Sequence, residues 1–152
     1  MNLKMIALAL GSATLASLAS ASPHAELAKG DNFKVEGNQG NCTAGAECKV
    51  DLLLTAGTGF HVNKDYPYKF KANDVAGVEF TGTDAGGKNV FSKAAGDFVP
   101  DPKDEHLGVM HVHFKAAKAG TVALSGTYKL AVCTSDNCQF KPVDISMNVT
   151  IK

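Results

Sequence analysis

Four cysteines are the residues of this 152-residue chain whose spacing most directly implies chemistry. Cys42 and Cys48 form one close pair, and Cys133 and Cys138 form another at the opposite end of the sequence. Thiols can ligate zinc, lock a fold as disulfides, or exchange electrons. Paired zinc ligands usually have roughly two to four residues between them, a range that only the second pair meets. An even cysteine count in an exported chain favours disulfides instead. Between Cys133 and Cys138 lie Thr134, Ser135, Asp136 and Asn137, all turn formers, which predicts a hairpin tip with a thiol at each end. The two ends of a hairpin come within disulfide-bonding range. Closing so small a loop contributes roughly 2 kcal/mol by chain-entropy arithmetic, and short exposed loops hold the more reducible bonds. The pair is therefore either a staple or a redox centre.

Histidines supply the second candidate chemistry. His111 and His113 stand two residues apart on a strand pattern, with His106 and His61 as further candidates. Imidazoles with a nearby Met would suit copper or zinc. The solvent face of a strand also accommodates such histidines with no function attached. No other cofactor is implied.

The elements that position these residues are strands. Cys48, Val50, Leu52 and Leu54 alternate with Lys49 and Asp51, the period of a half-buried strand. Phe60 to Ala72 continues after a Gly57/Gly59 turn, with Tyr66, Tyr68 and Phe70 on one face and Pro67 implying an edge or bulge. Val78–Phe80 is a short strand. In Leu107–Phe114, Met110, Val112 and Phe114 face one way and the two histidines the other. Thr121–Val132 and Val143–Ile151 complete the set. Residues 86–106, rich in Gly, Lys and Asp and carrying Phe91 and Phe98, read as a long loop of the kind that is often functional or mobile. About seven short strands with turn signals between them predict an all-β, immunoglobulin-like β-sandwich.

Parity bears on the pairing of the cysteines. Of the three possible pairings, the local one, Cys42–Cys48 with Cys133–Cys138, competes with a Cys48–Cys133 bridge between sheets. Cys48 shares the inward parity of Val50, but Cys133 is out of phase with Leu130 and Val132 and should point away from the core. The chain also has no Trp to pack on an inter-sheet bridge.

The N-terminus reads as a secretion signal over residues 1–21. Lys4 precedes an uncharged stretch from Met5 to Leu18, and Ala19-Ser20-Ala21 offers the small residues that signal peptidase needs. That stretch is shorter than the ~20 apolar residues of a span. Residues 22–152 are then one exported domain, periplasmic or secreted, with no insertion into the membrane. Fifteen cations balance fifteen anions, and every cation is Lys. Without Arg, the residue suited to bidentate phosphate and guanine contacts, nucleic acid is an unpromising partner.

From Gly59 to its end the chain resembles the N-terminal periplasmic domain of the thiol:disulfide interchange protein DsbD family. The resemblance runs through Gly59-Phe60-His61-Val62-Asn63, Gly77-Val78-Glu79-Phe80, Met110-His111-Val112, Ala119-Gly120-Thr121, and Tyr128-Lys129-Leu130-Ala131-Val132-Cys133 followed by Cys138. It implies an immunoglobulin-like sandwich whose hairpin cysteines, here Cys133 and Cys138, exchange electrons with thioredoxin-like or other periplasmic thiol-disulfide proteins. The corresponding activity is protein-disulfide reduction. By position, His61 and Asn63 replace two tyrosines that flank the family's site, and Phe91 lies nearest its cap-loop aromatic. By the same alignment His61 and Lys129 are the nearest candidates to lower the attacking thiol's pKa, and Cys42–Cys48 is left as a structural disulfide. Two alternatives remain: a non-catalytic binding or scaffold module with structural disulfides, and the histidine metal site.

Overall fold

A computed structural model describes residues 24–152. The secretion signal expected over residues 1–21, with its expected cleavage site, lies outside the described residues. Eleven strands run through the described chain: β1 (Ala25–Gly30), β2 (Phe33–Gln39), β3 (Glu47–Ala56), β4 (His61–Val62), β5 (Lys69–Ala72), β6 (Val78–Phe80), β7 (Val90–Ser92), β8 (Phe98–Pro100), β9 (Leu107–Ala116), β10 (Gly120–Cys133) and β11 (Cys138–Ile151). They form two antiparallel sheets. One runs β1-β2-β3-β9-β6, with β8 added beside β9. The other runs β11-β10-β5-β7, with β4 added beside β10. The all-β sandwich expected from the alternating pattern is the architecture found.

Alternation explains the packing. In β3, Cys48, Val50, Leu52 and Leu54 are buried, and in β9, Met110, Val112 and Phe114 are buried. They face Phe70, Tyr128, Leu130 and Val132 of the second sheet, with Tyr68 just before β5, in one continuous core. Phe80 packs edge-on against Phe114 and Phe91, each 6.2 Å away between ring centroids. Edge-to-face contacts of this kind add to the area the rings bury. At Gly108 a Cβ would stand 2.5 Å from the Phe98 ring, so only glycine lets that ring lie across β9.

Two sequence expectations need correction, and one hairpin lies outside them. The N-terminal hairpin of β1 and β2 extends the first sheet, although its polar, Gly-bearing sequence shows only weak alternation. Residues 86–106 are no free loop. They contain β7, paired with β5, and β8, paired with β9, and a side-chain network organises the segment between them. There Ser92 Oγ donates to Asp84 at 2.5 Å, and Asp97 accepts from the Ser92 N–H at 2.9 Å. Finally, Phe60–Ala72 is two strands. β4 pairs Val62 with Val132, and β5 pairs Lys69 with Lys129. Seven steps of chain between Val62 and Lys69 thus match three on β10, so residues 63–68 form an excursion from the ladder. Pro67 sits in that excursion, where its missing N–H removes no ladder bond.

Candidate functional site

The β10–β11 hairpin stays in unbroken register from Gly120 opposite Ile151 to Cys133 opposite Cys138. With no bulge, parity carries through: Leu130 and Val132 point into the core, and Cys133 points to the outer face. Cys133 and Cys138 are bonded, with 4.0 Å between their Cα atoms. Cys42 and Cys48 form the second disulfide, so the local pairing holds and the inter-sheet bridge does not. The two bonds lie at opposite ends of the molecule. Both Cys42 and Cys48 are 1% exposed, and their loop is tied down by hydrogen bonds from Ala44 N–H to the Lys152 carbonyl, from Gly45 N–H to that of Ala116, and from Lys152 N–H to that of Cys42.

The hairpin disulfide is asymmetric. Cys138 is exposed, whereas Cys133 is only 2% exposed despite facing outward. The 63–68 excursion accounts for the difference. Asn63 follows directly on β4, whose His61 pairs with Cys133. Its amide Nδ2 donates to Cys133 Sγ at 3.4 Å and to Cys138 Sγ at 3.6 Å. Its Oδ1 accepts from the Asp65 N–H at 2.8 Å, closing a local turn. Further along, the Tyr66 ring lies 5.0 Å from that of Tyr68 and 5.4 Å from that of Phe140. Phe140 pairs with Ala131 and stands two residues from Cys138 on the same face. Ala131, outward by parity like Cys133, is also fully buried under this cover.

Beneath the cover the backbone is held by buried groups. The Tyr68 hydroxyl donates to the Ala131 carbonyl at 2.7 Å, and its ring stacks on Phe98 with centroids 3.8 Å apart. Burial pushes the Tyr68 phenol well above its ordinary pKa, so it remains a donor. Lys93 anchors the excursion from outside: its N–H donates to the Tyr68 carbonyl at 3.0 Å, and its ammonium donates to the Lys64 carbonyl. The Glu105 carbonyl accepts from the Val62 N–H at 2.8 Å. The 86–106 region therefore buttresses the site from its flank.

The candidate residues divide accordingly. Cys133, Cys138, His61 and Asn63 come together. Lys129 shares the outer face of β10 but lies four residues away, about 13 Å along the strand, and makes no ion pair among the described residues. Phe91 is a correction: it is fully buried, paired with Phe70 on β5 and packed between Phe70 and Phe80, and it caps nothing. The aromatic that the excursion contributes is Tyr66, which packs on Tyr68 and Phe140. Asn63-Lys64-Asp65 with Pro67 two residues on was a legible turn signal inside an otherwise strand-like run. Phe140 was legible too, because it is out of phase with Val143 and Ile145 and had to face outward.

The histidines do not converge. His111 and His113 lie on the outer face of the first sheet, where His111 Nδ1 meets Asp51 at 2.6 Å and His113 Nδ1 meets Glu47 at 3.5 Å. His61 lies beside Cys133 in the other sheet. Among the described residues no three His, Cys, Asp or Glu side chains are grouped to hold a metal ion. In comparisons with known proteins, the chain matches no family model, no curated sequence and no solved structure.

Proposed function

We propose that this chain is an exported thiol-disulfide exchange module that passes electrons through Cys133 and Cys138 to or from thioredoxin-like or other periplasmic proteins. One observation carries the reading: an outward-facing hairpin disulfide joins an exposed residue, Cys138, to a buried one, Cys133, that accepts a hydrogen bond from Asn63. Export rests on Lys4, the Met5–Leu18 stretch and Ala19-Ser20-Ala21. The resemblance to the DsbD N-terminal domain family supports the same assignment.

The chemistry follows from exposure. A partner's thiolate attacks Cys138 Sγ, the accessible sulfur. The Cys133–Cys138 bond breaks, Cys133 leaves as a thiolate, and a mixed disulfide joins Cys138 to the partner. The partner's second thiolate then attacks its own bonded sulfur and releases Cys138. The partner departs as a disulfide, and the hairpin pair keeps two electrons and takes protons from solvent. An oxidised partner runs the sequence in reverse.

The test is a redox titration of the mature protein with thiol trapping, peptide mapping and metal analysis. Trapped thiols at Cys133 and Cys138 in the range of glutathione couples are expected. A bond that stays oxidised below about −300 mV, where structural disulfides lie, would make the hairpin a staple and the protein a binding module. Stoichiometric copper or zinc would favour the histidine site instead.

A further inference from the structure

We infer that Asn63 is a positioning residue for the hairpin thiols, its amide stabilising the thiolate that forms on Cys133 when the disulfide opens. This inference rests on the exchange chemistry proposed above and adds a named group to it.

The geometry separates two jobs within one side chain. Oδ1 closes the turn onto the Asp65 N–H at 2.8 Å. Nδ2 points the other way and donates to both sulfurs, at 3.4 Å to Cys133 and 3.6 Å to Cys138. The turn bond thus fixes the orientation of the amide, so its N–H groups are aimed at the sulfurs before any partner arrives. A disulfide sulfur is a weak acceptor and a thiolate is a strong one. The same donor therefore binds the reduced, ionised state more tightly than the oxidised state. Cys133 is the sulfur that needs this, because it is buried and leaves as the charged group, while water can solvate Cys138.

Other titratable groups share the surroundings. His61 lies opposite on β4, Lys64, Asp65 and Tyr66 belong to the cover, and Tyr68 lies beneath it. Asp136 is in the hairpin tip, and Lys129 is further up β10. Among the described residues, Asn63 alone has a side chain that hydrogen-bonds to either sulfur.

Two substitutions divide the two jobs. Asn63→Asp retains a turn-closing oxygen but replaces the donor with a negative charge. Asn63→Ala removes both. The mature protein is reduced with a phosphine, and alkylation of Cys133 and of Cys138 is followed separately against pH by peptide mass spectrometry. Phosphine reduction works whether or not a physiological partner exists, so this readout is independent of the exchange reading. In Asn63→Ala the Cys133 thiol pKa should rise by about one unit, and in Asn63→Asp it should rise further, with Cys138 moving less. The redox equilibrium should shift towards the disulfide by up to the same tenfold, which is about 30 mV more negative. If Asn63→Asp matches the wild type, Asn63 serves only the turn and the inference is overturned. It is equally overturned if neither variant moves the Cys133 pKa. Should Asn63→Ala fail to fold, Asn63→Ser, which keeps a turn-closing oxygen without the amide or a new charge, decides instead by the same Cys133 profile.

Discussion

A limiting dose of a small thiol, added to the folded protein without denaturant, should open Cys133–Cys138 long before Cys42–Cys48. Loop length cannot discriminate between them, because the bonded residues are 5 and 6 apart in sequence and the closure entropy changes only with the logarithm of length. Access does discriminate. Cys138 is exposed and can be attacked in the native state. To reach Cys42 or Cys48, both 1% exposed, the loop must detach from the ends of β9 and β11. Detachment breaks three backbone hydrogen bonds, those joining Ala44 to Lys152, Gly45 to Ala116 and Lys152 to Cys42. At about 1 kcal/mol net for each bond, opening costs about 3 kcal/mol, which keeps the open form at about one part in 150. Reduction of Cys42–Cys48 should therefore be slower by about two orders of magnitude. Quenching with an alkylating reagent at successive times, followed by peptide mapping, measures both rates in one experiment. Equal rates, or earlier loss of Cys42–Cys48, would refute the assignment of the hairpin as the accessible pair.

Further outcomes are expected at the cover, the core and the histidines. Tyr66→Ala removes a ring packed on Tyr68 and Phe140 and should leave both the rate of glutathione attack at exposed Cys138 and the equilibrium potential nearly unchanged. Phe91→Ala should instead cost about 3–5 kcal/mol in urea unfolding, as befits a core ring. Tyr128→Phe, which deletes a buried hydroxyl with no partner among the described residues, should be neutral or stabilising, whereas Tyr68→Phe should cost about 1–2 kcal/mol by orphaning the Ala131 carbonyl. Burial holds both phenols above their ordinary pKa of 10.0. Their contribution to stability is therefore complete below that pH and is lost as pH rises beyond it, so alkaline unfolding should be displaced upward in Tyr128→Phe. His111→Ala with His113→Ala should leave redox behaviour unchanged and cost no more than about 1 kcal/mol, because their carboxylate pairs are partly exposed.

Local periodicity was sufficient for much of this molecule. Cys48 to Leu54, Met110 to Phe114 and Val143 to Ile151 each show which face is inward, because successive side chains on a strand point to opposite sides whatever they pair with. The hairpin tip of Thr134 to Asn137 is equally local, and with it the closeness of Cys133 and Cys138. The parity argument against a Cys48–Cys133 bridge needed only that β10 contain no bulge, and its pairing with β11 contains none.

What covers the disulfide was decided by tertiary structure alone. Cys133 faces away from the core by parity and yet is buried, because a segment 70 residues earlier leaves its ladder and folds over it. Alternation cannot report such a cover, since it records which side a residue faces and not what lies on that side. Nor could it show that Phe91 is enclosed by Phe70 and Phe80, which come from strands that meet only in the folded chain. The histidines make the converse point: residue type suggested one cluster, and the assignment of β4 and β9 to different sheets separated it. Sequence by itself determined the main strands, their inward faces and the hairpin that joins two sulfurs. The long-range pairing that sets Asn63 against those sulfurs, and leaves Cys138 open while Cys133 is closed, exists only once both sheets have formed.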